Sequence, residues 1–126
     1  MRRTDQRKEA VFALYQRDVT DCALSDLLAD AKPFSRELAE GTDSNLEAID
    51  AEISNLAQGW SLERIAPLER SILRVGLYEL LHSDAVPAEI AIDEAIGLAH
   101  QFCGADAPSF VNGILGAAAR QAGVGS

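Results

Sequence analysis

Pro67-Leu68-Glu69-Arg70-Ser71-Ile72-Leu73-Arg74-Val75-Gly76-Leu77-Tyr78-Glu79-Leu80-Leu81-His82 is the stretch that decides the fold class. A proline at the first position presets φ for a helix and gives up only an N–H that the first turn leaves unpaired. Leu68, Ile72, Val75, Leu80 and their apolar neighbours recur at helical spacing rather than alternating, so the pattern predicts a helix over 67–82 with that side turned inward. Its charges allow two arrangements. Glu69 and Arg74 form a surface pair, or Arg74 and Glu79 tie helices together inside a bundle.

The same punctuation repeats outward. Pro33, Pro87 and Pro108 each stand where another helical pattern begins. Pro87 opens a helix carrying Ile90, Ile92, Ala95, Ile96, Ala99 and Phe102 on its inward side, closed by Gly104. Pro108 opens a last one with Val111, Ile114, Leu115 and Ala118. Pro33 opens a long pattern through Phe34, Leu38, Leu46, Ile49, Ile53 and Leu56 to Ala57, weakened by about 1 kcal/mol at Gly41, so a break is expected near Gly41-Thr42-Asp43. Gly59 reads as a C-cap, Trp60 as a core position like Leu73, and Ser61 as the cap of a short turn through Ile65. Upstream, helices are expected over Thr4–Asp18, with Val11, Leu14, Tyr15 and Asp18 on one stripe, and over Leu24–Ala31. Alanine and leucine supply 36 residues against 17 for valine, isoleucine and threonine, which favours helices over strands throughout.

The 126 residues are expected to form one domain, 1–126, with a basic head over 1–8 and a loose tail over 123–126. Apolar residues make up 48%, enough to exclude disorder over most of the chain. No apolar run reaches the roughly 18 residues of a membrane span, and the charged N-terminus has no secretory h-region. Cys22 and Cys103 belong to no CxxC pattern and read as reduced thiols of a cytoplasmic protein. The net charge of −9 argues against nucleic acid, but its distribution argues otherwise. Residues 1–17 carry five basic and two acidic side chains; the rest carries six basic and eighteen acidic. An acidic body with a short basic head suggests a polyanion-binding arm.

Catalytic and metal-binding constellations are missing. His82 and His100 have no acid at metal-ligand spacing, and Asp93-Glu94 reads as a solvated helix face rather than a general base. No enzyme activity, metal or cofactor is expected. Two features point to RNA. Arg3, Arg7 and Lys8 lie on or near one side of the first helix, placed to track phosphates, with Tyr15 further along to stack a base or to pack in the core. Phe110, at the start of the last helix just after Asp106, can stack a base or staple the helix entry.

Three segments in this order, Arg7 to Asp18, Trp60 to Leu81 and Val86 to Leu115 (the last containing VPAEIAIDEAIGLA and FVNGIL), resemble the NusB family of bacterial transcription antitermination factors. The resemblance covers about half of the chain, and Thr20 to Gln58 matches only in helical character. It implies an all-α fold of about seven helices in two packed sub-bundles. It implies a non-catalytic activity: binding boxA-type single-stranded RNA of ribosomal RNA leaders together with the ribosomal protein NusE, in a larger complex with NusA, NusG and RNA polymerase. A related domain precedes the catalytic domain of a ribosomal RNA cytosine methyltransferase, but 126 residues leave no room for that second domain. The implied RNA-binding residues are Arg2, Arg3, Arg7 and Lys8 of the arginine-rich motif, Tyr15, Glu69, Asp106 and Phe110. Thr4, Asp5 and Ser109 stand where relatives carry more basic residues, so much of the positive charge falls to the partner. The alternative is a purely protein-binding helical adaptor with no RNA affinity of its own. The apolar face of the first helix also permits a homodimer.

Overall fold

A computed structural model describes residues 2–83 and 86–123. They form seven α-helices: α1 (Arg3–Thr20), α2 (Leu24–Leu27), α3 (Pro33–Ser44), α4 (Leu46–Leu56), α5 (Pro67–His82), α6 (Ala88–Phe102) and α7 (Ala107–Ala122). A 3₁₀ turn, Leu62–Arg64, leads into α5. There is no strand among the described residues. The expected tail lies outside them except for Gly123, which ends α7 in the left-handed conformation.

The decisive stretch becomes the central helix. Every residue of α5 from Ser71 to Leu77 is buried, as are Glu79 and Leu80. A helix covered all round must be surrounded, and α5 packs against α1, α3, α4, α6 and α7. On one side α1 also packs on α2 and α3; on the other α7 packs on α4 and α6. These are the two sub-bundles, and α5 joins them into one continuous core.

All four prolines sit at helix starts, Pro33 and Pro67 opening their helices, Pro108 inside the first turn of α7 and Pro87 at the N-cap of α6. The long central pattern does break, but at Asn45 rather than Gly41. Asn45 donates from Nδ2 to the Gly41 carbonyl at 2.8 Å, and its backbone N–H also turns back to Gly41 and Thr42. An asparagine offers the backbone this local alternative to continuing the helix. Gly41 lies inside α3, and the ring of Tyr78 occupies the space where a Cβ would stand.

Two expectations about the core are corrected. Trp60 is 55% exposed, not buried. Gly59, at φ +83°, turns the chain sharply after α4 and sends Trp60 outward. In α6 the covered face is Ala91, Ala95, Leu98 and Ala99, while Ile90 and Phe102 remain exposed. Close packing against α5 and α7 selects the small face of α6 over its larger apolar residues. The apolar face of α1 is Ala10, Val11, Ala13 and Leu14, and it is buried in the chain's own core.

Candidate nucleic-acid interface

The starts of α5 and α7 and the 3₁₀ turn between α4 and α5 enclose an open cleft of about 290 Å³. Glu69 and Arg64 stand on one wall, Asp106 and Phe110 on another, and Trp60 forms the rim. The indole meets the Phe110 ring edge-to-face, centroids 6.1 Å apart at 61°. Burial holds the Glu69 carboxyl above the ordinary carboxylate range. Burial, and then the charge of Glu69, push up the Cys103 thiol. Cys103 follows Phe102, the last residue of α6.

Phe102 carries the surface on to α1. Its ring packs edge-to-face on Phe12 at 5.1 Å, and Phe12 packs in the same way on half-buried Tyr15 at 6.3 Å. The Lys8 ammonium lies 5.9 Å from the Phe102 ring centroid, within cation–π range. Lys8, Phe12, Tyr15 and Phe102 thus make a cationic, aromatic ledge.

Arg3 and Arg7 do share a side, since both guanidinium groups lie over the Phe34 ring, while Lys8 faces Phe102. Arg3 lies over Phe34 of α3, 4.4 Å from the ring centroid, a different helix from the one Lys8 meets. Arg2 is exposed and pairs with Asp5 at 3.6 Å. Arg7 is only 4% exposed. Its Nε donates to Glu79 Oε1 at 2.8 Å and its Nη2 to Glu79 Oε2 at 2.9 Å, while Glu94 lies 3.7 Å away. Burial opposes the charge, but the hydrogen bonds and charge of Glu79, followed by the charge of Glu94, outweigh it and hold Arg7 above the usual arginine value. Three and four residues ahead of Ala10 and Val11, Arg7 sits on the core stripe of α1, and its guanidinium is paired with Glu79 inside the protein.

Arg74 has a similar internal role. It holds Asp50 of α4 through Nε and Nη2 at 2.8 and 2.9 Å and Asp18 of α1 through Nη1 at 2.8 Å. Of the two arrangements open for the charges of α5, the internal one holds for both Arg74 and Glu79, although they bind other helices rather than each other. Among the described residues no group of three His, Cys, Asp or Glu side chains could hold a metal ion, and no helix is long and apolar enough to cross a membrane.

Residues 3–120 match the model of the NusB family. The chain belongs to that family. The transcription antitermination protein NusB of Rubrobacter xylanophilus is 39% identical over 122 residues, covering 91% of this chain and 88% of that protein. The structure of T. maritima NusB superposes with a TM-score of 0.89 at 32% identity, covering 96% of this chain and 92% of that one. A chain in the crystal structure of the antitermination factors NusB and NusE in complex with double-stranded RNA shares the fold, with a TM-score of 0.86 at 24% identity and coverage of 94% and 96%.

The NusB-motif residues thus fall into two groups. Glu69, Asp106 and Phe110 share the cleft, and Tyr15 and Lys8 share the ledge, whereas Arg2, Arg3 and Arg7 lie apart. Sequence reasoning missed Trp60, Arg64, Phe12 and Phe102 as candidates. For Trp60 the signal was the glycine before it. For Phe102 it was the place at the end of a helix whose other face is lined with alanine. Arg64 and Phe12 carried none.

Proposed function

We propose that this chain is a transcription antitermination factor that binds boxA RNA of ribosomal RNA leaders together with the ribosomal protein NusE. The pair joins NusA and NusG on RNA polymerase in the cytoplasm, and the chain itself catalyses nothing. The observation that carries this reading is the meeting of Glu69, Asp106 and Phe110 in one open cleft. Carboxylates repel phosphate, so acids beside a half-buried aromatic suit unpaired bases: the open part of the ring stacks and the carboxylates accept from base amino groups. Family membership supports the same reading. The net charge of −9 leaves an acidic body that attracts a basic partner, and such a partner supplies phosphate contacts the thin head lacks.

The test is gel retardation of boxA RNA and of a scrambled RNA of equal length, with and without NusE. The expected result is preferential retardation of boxA, strengthened by NusE. No retardation in either case overturns RNA binding and leaves the protein-binding adaptor.

A further inference from the structure

We infer that Trp60 and Arg64 are RNA-contact residues that complete the cleft as a receptor for a single unstacked nucleobase bearing an amino group. This rests on the RNA-binding reading above and extends it to two residues and one kind of base. Trp60 is the only tryptophan of the chain, and it is more than half exposed. It lines the cleft beside Phe110, and the exposed part of the indole offers a surface against which a flat heterocycle can lie.

Among the described residues, Arg64 is the only basic side chain on the cleft wall. It has no ion pair or side-chain hydrogen bond among the described residues. The other arginines of this region are engaged: Arg70 and Arg74 both reach Asp18, and Arg74 also holds Asp50. Arg70 in addition donates from Nη1 to the carbonyls of Leu62 and Ile65, at 3.1 and 3.4 Å. Those bonds fix the turn from which Arg64 projects, so a free guanidinium is carried on a pinned backbone. A nucleotide entering a cleft with two carboxylates brings a phosphate that they repel, and Arg64 supplies the compensating charge. The carboxylates accept hydrogen bonds, which favours adenine, cytosine or guanine over uracil at this position.

The lone tryptophan is also the probe. The intact protein with NusE is titrated with boxA RNA while Trp60 emission and gel retardation are followed together, with the Trp60→Phe protein as the blank for partner emission. Quenching is expected to saturate with retardation. Trp60→Ala is expected to weaken RNA binding roughly 5- to 150-fold, and Arg64→Ala to reduce the salt slope of log K by about 0.7. Both side chains are exposed, so both variants are expected to fold, Arg64→Ala with the wild-type melting temperature and Trp60→Ala with only a small loss. Replacing amino-bearing bases by uridine one at a time should reveal one position where the Trp60→Ala defect disappears. Retarded RNA with unchanged emission and unchanged affinity in both variants overturns the inference alone. Quenching by NusE alone, with no further change on adding RNA, also overturns it and gives the cleft to the protein partner. No retardation with wild type overturns the RNA-binding reading itself, and this inference with it.

Discussion

Arg7 and Glu79 meet through two parallel hydrogen bonds across 72 residues of sequence, and both side chains are almost wholly buried. The pair ties the start of α1 to the last turns of α5, with Glu94 of α6 close by and itself accepting from Thr4 at 2.9 Å. Removing one partner leaves an uncompensated buried charge, whereas exchanging both for apolar residues removes the desolvation cost as well. Arg7→Ala or Glu79→Ala is therefore expected to lose about 3–5 kcal/mol in urea unfolding, and Arg7→Met with Glu79→Leu to recover most of that. The double variant also tests the site. If Arg7 is internal, its RNA affinity and salt slope match the wild type. A weaker, less salt-dependent complex would return Arg7 to the phosphate-binding set.

The exposed cations are expected to act without reading sequence. Arg3, exposed, rests on Phe34, and Lys8, half-buried, on Phe102. For single strands, each phosphate contact contributes about −0.7 to the slope of log K against log salt. Arg3→Ala with Lys8→Ala should lower the slope by about 1.4 and weaken boxA and scrambled RNA equally. An unchanged slope would mean that the phosphate contacts belong to the partner.

The helix starts were legible because proline acts locally: its fixed φ and missing N–H suit a first turn whatever lies around it. The inward pattern of α5 was legible for a similar reason, since burial on all sides leaves little choice of face. Arg7 was harder, because the stripe Arg7, Ala10, Val11, Leu14 has the right spacing but the partner that makes a buried arginine tolerable lies on another helix. Trp60 was misread because periodicity says nothing about the direction in which a chain leaves a helix; Gly59 sets that. Phe102 was misread because α6 has two apolar faces, and only the packing against α5 and α7 chooses between them.

The aromatics should separate by role. Leu73 has no exposed surface, so Leu73→Ala should cost roughly 2–5 kcal/mol. Trp60→Ala should cost far less, since the ring is mostly in solvent. Phe110 is half-buried and packs on the core from one side. Phe110→Ala is expected to lose about 1–3 kcal/mol of RNA binding with a stability loss between the other two. Circular-dichroism melts alongside binding curves decide this; a Phe110→Ala melt as depressed as that of Leu73→Ala would make it a core residue.

Gly41 sets two effects against each other. In an exposed helix interior, glycine to alanine gains about 1 kcal/mol. Here the new Cβ meets the Tyr78 ring, which is stacked on His82 with centroids 5.8 Å apart. Overpacking costs about 1–3 kcal/mol, so Gly41→Ala should destabilise. Truncating the ring removes the collision, and Gly41→Ala should be stabilising in a Tyr78→Ala background. The same sign in both backgrounds would show that the contact between α3 and α5 is not what holds Gly41.

Glu69 makes the last prediction, and it couples pH to base reading. Burial raises its carboxyl in the folded protein, so the fold favours the protonated form. Its contribution to stability is present below the ordinary carboxyl range and is lost as pH rises through the folded value. Glu69→Gln mimics the neutral form. In urea unfolding it should be at least as stable as wild type near pH ~7, with the difference vanishing near pH ~3, where both side chains are uncharged. RNA binding should respond in the opposite sense. At neutral pH the carboxylate only accepts hydrogen bonds and prefers a base amino group, whereas glutamine also donates and tolerates a base carbonyl. Glu69→Gln is thus expected to keep or gain stability while narrowing the ratio of boxA to scrambled affinity. An unchanged ratio would show that Glu69 reads no base and leave specificity to stacking in the cleft.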